Sequence, residues 1–189
     1  MPPQRSPSTE RGFVSGVLNV DKAAGETSFT VVRRLRHLTG AHRVGHAGTL
    51  DPLATGVLPI LFESATRLAE FAHQLPKTYV ADIHLGFSTA TDDAEAEKQA
   101  QGDPSGVTID DVGQALTAFT GRILQEPPAF SAVKVDGERA YRLARRGEEP
   151  KPMAREVEVY EARVLDFVPG PQAVVCISIF IAVSTVSGP

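Results

Sequence analysis

Helix-period and strand-period segments follow one another irregularly along this 189-residue chain, which predicts an α+β fold with a largely antiparallel sheet and flanking helices. Two observations carry that prediction. The order of segments is not the regular strand–helix–strand series that builds a parallel sheet, and the strand candidates are mostly two-sided or alternate apolar with polar residues. The length suffices for one core, or for one domain with a small appendage, and no internal repeat is apparent.

In chain order, residues 1–12 are Pro/Ser-rich and read as a disordered tail without an apolar signal region. Gly16–Lys22 is a short β-type run ending in a turn. Gly25-Glu26-Thr27-Ser28 is a helix-cap signal, after which Phe29, Val32, Leu35 and Leu38 recur at helical spacing up to Gly40. Val57–Phe62 reads as a buried strand and Ala65–Leu75 as a helix through Leu68, Phe71 and Ala72. Lys77–Gly86 alternates with period two, with Lys77, Tyr79, Ala81, Ile83 and Leu85 on one face and Thr78, Val80, Asp82 and His84 on the other. Tyr79 on that mostly apolar face reads as a core tyrosine when taken by itself. Glu97–Gly106 is a polar linker, and Thr108 caps a helix through Val112, Leu116 and Phe119 that stops at Gly121. Pro127 and Pro128 exclude a helix, Ser131–Val135 is strand-like, Asp136-Gly137 is a turn signal and Arg139–Arg146 resumes a helix. Val157–Phe167 and Ala173–Ile177 are the last strand pair.

Composition narrows the chemistry. A single cysteine, Cys176, excludes an internal disulfide framework and a Cys-based zinc site, and the five histidines form no HExxH-like pair, so no metal is expected. The longest apolar run, Ala173–Val183, is interrupted by Ser178 and too short to span a bilayer; a cytoplasmic protein without a membrane partner is expected. The formal net charge is −4, yet the charges are segregated. Arg33, Arg34, Arg36 and Arg43, with His37, His42 and His46, occur between Thr30 and Leu50 with no acid among them. A second cluster holds Arg139, Arg142, Arg145 and Arg146, while Asp92, Asp93, Glu95, Glu97, Asp103, Asp110 and Asp111 gather elsewhere. Each basic cluster alone is as readily a solvated helix face; two of them, kept apart from the acids, point to a phosphate-binding surface.

One stretch stands out for chemistry: Gly45–Ile60, GHAGTLDPLATGVLPI. Gly48 and Gly56 permit positive φ, Pro52 fixes φ and removes a donor, and the residue before a proline is kept out of the helical region. An ordinary Asp-Pro turn explains such a pair. A stiff loop that presents one carboxylate, Asp51, with His46 five residues upstream, also meets the needs of nucleophilic catalysis by aspartate.

This stretch resembles, nearly letter for letter, the catalytic loop of bacterial tRNA pseudouridine-55 synthases, the TruB family. Lys22 with Gly25–Ser28, the Lys77-Thr78-Tyr79 strand start, Gly86–Glu95 and Gln125–Tyr141 resemble further family blocks. The resemblance implies a pseudouridine synthase fold with a catalytic cleft across its central sheet. It implies isomerisation of uridine 55 in the T-loop of tRNA to pseudouridine without cofactor or metal, by a monomer. Asp51 takes the position of the nucleophile and Tyr79 that of the residue that stacks on the base and accepts its proton. His46, Gly48 and Thr49 take substrate-binding positions, and Lys22 is placed either at a phosphate or as an exposed lysine at a strand end. The motif match runs from about residue 16 to 175, so 13–175 is expected to be an incomplete catalytic domain and 176–189 a tail unlike the family, with a change of reading frame near Cys176 and no PUA-type RNA-binding domain. The Gly-Thr-Tyr-Ile-Arg segment, whose arginine pairs with the catalytic aspartate, is not found. That leaves an alternative, a catalytically impaired tRNA-binding fragment. Hydrolysis by Asp51 is disfavoured, since no paired carboxylate or DxDxT pattern accompanies it.

Overall fold

The computed structural model describes residues 14–89, 96–126, 134–135, 137–148 and 153–183. The expected tail at 1–12, the acids Asp92, Asp93 and Glu95, the stretch 127–133, Asp136 and residues 184–189 lie outside them. The chain forms two compact units that divide between Leu75 and Pro76. The expected α+β architecture with antiparallel sheets and flanking helices is what the structure shows, the main strands forming one sheet in each unit. No helix among the described residues is long and apolar enough to cross a membrane.

In the first unit, β1 (Gly16–Lys22) and β2 (Val44–His46) both pair antiparallel with β3 (Gly56–Phe62), which lies between them. β3 takes the centre because its run of apolar residues can be covered there: Leu58 and Ile60 are 1% and 0% exposed. Helix α1 (Ser28–Thr39) starts at Thr27, whose hydroxyl accepts the Thr30 amide, and ends at Gly40 in the left-handed conformation, φ 71°. Val31 and Val32, with Leu35 at their rim, pack on Ala41, Val44, Leu58, Ile60 and Phe62.

This corrects the expected helix phase. Phe29 and Leu38 are 69% and 71% exposed, because the buried face is Ser28, Val31, Val32 and Leu35. That set also obeys i, i+3, i+4, i+7 spacing, and the buried Ser28 hydroxyl, tied to Leu50, selects it. After β3 come a 3-10 turn over Glu63–Leu68 and the short helix α2 (Ala69–His73). Ala65, Ala69 and Ala72 meet Ala47 and Leu61, while Leu68 and Phe71 are exposed.

The second unit begins with β4 (Lys77–His84), followed by a ribbon of β5 (Phe87–Thr89) and β6 (Lys98–Ala100), helix α3 (Ile109–Thr117) and β7 (Gly121–Gln125). A second ribbon, β8 (Lys134–Val135) with β9 (Glu138–Arg139), leads to α4 (Ala140–Arg145) and to the long hairpin of β10 (Arg155–Val168) and β11 (Val174–Val183). The sheet order is β4-β11-β10-β7, antiparallel throughout. Ala173, Val175, Ile177, Val157 and Val159 are buried, and α3 packs against β10. The last strand continues beyond the expected end at Ile177 to Val183. Ile179 and Ile181 extend the alternation of Val175 and Ile177 and pair with Tyr79 and Lys77 of β4.

Cys176 stands in the middle of this sheet, between its register partners Asp82 on β4 and Asp166 on β10. A hydrogen bond with Asp82, partial burial and the negative charges of Asp82 and Asp166 push its thiol pKa up. The thiolate is the reactive form, so a raised pKa leaves less of it at neutral pH. Iodoacetamide therefore labels native Cys176 more slowly than the unfolded chain, and Asp82→Asn accelerates labelling severalfold, as followed by mass spectrometry against pH; equal rates in the two proteins would refute this account.

Candidate active site

The loop between β2 and β3 is held by clamps on both neighbours of Asp51. Upstream, the Leu50 amide donates to Ser28 Oγ at 3.0 Å, and the Ser28 hydroxyl donates to the Leu50 carbonyl at 3.1 Å. Downstream, the Pro52 carbonyl accepts from the Gly25 amide at 2.8 Å and from Lys22 Nζ at 3.3 Å. Asp51 itself closes a turn, its carbonyl accepting the Ala54 amide at 3.1 Å. Its side chain is exposed and has no hydrogen bond or ion pair among the described residues. The backbone is thus fixed where the carboxylate is free.

Lys22 belongs to the clamp. Its side chain is 0% exposed, and Nζ donates to the carbonyls of Ala23 at 3.0 Å, Glu26 at 2.7 Å and Pro52 at 3.3 Å. An ammonium has three N–H groups and accepts nothing, so main-chain oxygens use all of them. This corrects both expectations for Lys22, since it is neither exposed nor left with a donor for phosphate.

His46 is half-buried, and its Nδ1 bonds the Gly48 carbonyl. A carbonyl only accepts, so the hydrogen-bond network assigns a proton to Nδ1. Gly48 and Gly56 have φ 108° and 129°, where a side chain would be strained, and the Ala47 amide donates to the Pro59 carbonyl at 2.9 Å, tying the start of the loop to β3. Thr49 is exposed. Lys22, His46, Gly48, Thr49 and Asp51 are therefore gathered in the first unit. Tyr79 lies on β4 of the second unit, opposite Ile179 and 45% exposed. Its ring has an open face and is not sealed in a core.

Sequence reasoning missed two residues. Ser28 was readable only as part of a helix-cap signal, although a second hydroxyl directly after a Thr cap is itself a cue to a further partner. Glu63 had no cue. It is the non-glycine with positive φ among the described residues, at 51°, and its Oε1 accepts the His42 and Arg43 amides at 2.7 and 3.4 Å while its own amide donates to the Arg43 carbonyl at 2.9 Å. These bonds fix the connection from α1 into β2, offsetting an unfavourable backbone conformation of about 1–3 kcal/mol.

The basic clusters differ. Arg34 pairs with Glu26, and Arg36 Nη2 donates to the Val44 carbonyl at 3.3 Å. In the second cluster Arg146 is bonded to Glu138 at 2.8 Å and Glu148 at 2.9 Å, which holds the Glu138 carboxyl below its ordinary range. Among the described residues no three His, Cys, Asp or Glu side chains are grouped so as to hold a metal ion.

Residues 36–185 match the model of the TruB family pseudouridylate synthase (N terminal domain). The chain is 46% identical over 166 residues to a tRNA pseudouridine synthase B of Symbiobacterium thermophilum, covering 88% of this chain and 56% of that one. Among solved structures, a crystal structure of a Cbf5–Nop10–Gar1 complex matches with a TM-score of 0.63 and 29% identity, over 91% of this chain and 41% of the other. The structure of an H/ACA RNP bound to a substrate RNA containing 2′-deoxyuridine matches with a TM-score of 0.60 and 28% identity, over 90% and 38%. The chain spans about half the length of the curated relatives it matches.

Lys22→Met leaves three carbonyls without their donor and is expected to destabilise the first unit by roughly 3 kcal/mol, whereas Ser28→Ala costs about 1–2 kcal/mol. Both should raise amide exchange at residues 47–54 before the helix α1 loses protection. Hydrogen exchange read by mass spectrometry checks this, and unchanged exchange in Lys22→Met would show that the ammonium does not hold the loop.

Proposed function

The chain belongs to the TruB family of pseudouridylate synthases, and on that premise we propose that it converts uridine 55 in the T-arm of tRNA to pseudouridine with Asp51 as the nucleophile. The carrying observation is the pair of clamps around Asp51, which present one free carboxylate on a fixed backbone. Preorganisation of this kind spares the reaction the entropy of positioning its nucleophile.

The reaction breaks the bond from ribose C1′ to N1 and forms one from C1′ to C5. C5 loses a proton, N1 gains one, and the base has been turned between the two events. Electrons and atoms balance without oxidant, reductant or water. Asp51 attacks either C1′ or the base, and either route returns the carboxylate unchanged. The uridine must first leave its stack, at a cost of a few kcal/mol. In this reading Tyr79 stacks on the extruded base and takes the C5 proton, and His46 fills the vacated space or meets the RNA backbone. Gly48 and Thr49 line the approach, and the chain acts in the cytoplasm on its RNA.

A second reading, binding of tRNA without isomerisation, is favoured by one specific observation. The Asp51 carboxylate has no cationic partner among the described residues, and such a partner would orient it by a charged hydrogen bond of about 1.5–3 kcal/mol.

Pseudouridine formation at position 55 of an unmodified tRNA transcript, compared between the chain and Asp51→Ala, tests both readings. Catalysis predicts conversion that falls by roughly a thousandfold or more in the variant with little change in tRNA affinity. Binding of tRNA with no conversion in either protein selects the second reading. Release of free uracil would reject both in favour of hydrolysis.

A further inference from the structure

We propose that the outward face of α1 is a docking surface for the ribose–phosphate backbone of tRNA, a contact additional to the Asp51 loop; this rests on the tRNA reading above. Thr30, Arg33, Arg34 and His37 line one open groove. Their spacing, i, i+3, i+4, i+7, puts them on a single face. That face is two residues, or about 200°, around the helix from the buried set of Ser28, Val31, Val32 and Leu35, so it looks away from the core.

The cations of this groove are only partly neutralised. Arg33, Arg34 and His37 are exposed, and the side chains of Arg33 and His37 have no ion pair or hydrogen bond among the described residues. Arg34 meets one carboxylate, Glu26, and a guanidinium with five N–H donors keeps others for a second anion. No acid occurs from residue 27 to residue 50. In a chain of net charge −4, attraction of RNA has to come from such a local field and not from the total. In the other basic cluster Arg146 is bonded to both Glu138 and Glu148, and phosphate would have to displace them there.

Apolar groups flank the cations. Phe29 and Leu38 are 69% and 71% exposed near the two ends of α1. An exposed phenyl ring beside arginines is the pairing by which proteins hold nucleic acid, with charge on phosphates and a ring face for a base or sugar.

The test is fluorescence anisotropy of a fluorescein-labelled, unmodified tRNA transcript across a sodium chloride series. Arg33→Glu is compared with Arg122→Glu, an equal change of charge at an exposed β7 position whose guanidinium reaches Glu158 at 3.8 Å. Arg33→Gln, which keeps an exposed helix former, guards against misfolding. Arg33→Glu is expected to weaken binding about tenfold and to lower the slope of log K against log salt by about one, the loss of one phosphate contact. Arg33→Gln shows the same direction, Arg122→Glu stays within about twofold, and Phe29→Ala weakens binding about fivefold with the slope unchanged. If the chain binds tRNA and Arg33→Glu has no effect, or no more effect than Arg122→Glu, the α1 surface is refuted while the tRNA reading stands. If the unaltered chain does not bind tRNA, the tRNA reading falls and this inference falls with it.

Discussion

The ammonium of Lys22 lies beyond the reach of solvent, and its ligands are the main-chain carbonyls of Ala23, Glu26 and Pro52. A buried charge is tolerated only when it is fully hydrogen-bonded, because each missing bond leaves several kcal/mol of desolvation uncompensated. Here the third bond comes from a residue thirty positions along the chain. The turn after β1 and the loop before β3 must therefore meet in one arrangement. Gly25 and Ser28 add neutral bonds to the same loop, and Ser28 also sets the rotation of α1. The Asp51 loop and the adjoining helix are consequences of one constraint.

The second unit is organised differently. Its sheet depends on the long β10–β11 hairpin, whose central strand alternates Val175, Ile177, Ile179 and Ile181 on one face. β4 pairs with the edge of that strand through main-chain hydrogen bonds, which holds Tyr79 at a half-exposed position opposite Ile179. On the other face the same strand carries a thiol between two carboxylates. Hydrogen bonding to Asp82 pushes the pKa of that thiol up.

Surface charge divides into cations matched by internal partners and cations left to solvent. Lys22 is saturated by carbonyls and Arg146 is matched by Glu138 and Glu148, while Arg36 gives one bond to the Val44 carbonyl. Arg33, in contrast, faces water with no ion pair or hydrogen bond among the described residues. A long-range field that attracts a polyanion comes from the second kind, since a charge already matched by an internal partner projects little beyond it.

Local rules made part of this molecule legible. Thr27 and Gly40 delimit α1, Thr108 with Asp111 forms a capping box at α3, and period-two alternation places Lys77–His84 as a strand, because each depends on residues a few positions apart. The same locality marks Gly45–Ile60 as a stiff loop around Asp51, and its close resemblance to one family carried the expected chemistry. Position along a helix does not determine which overlapping face is buried, and so Phe29 and Leu38 were misplaced. A lysine at a strand end reads as exposed until the Pro52 carbonyl, thirty positions away, joins two local ones around it, and no periodicity marks Glu63 as a bridge to His42 and Arg43. The sequence by itself thus determined most of the elements, the stiff loop around Asp51 and the family. Which side chains hold that loop and which face solvent was decided by the tertiary structure, because burial and hydrogen bonding are satisfied between segments that only folding brings together.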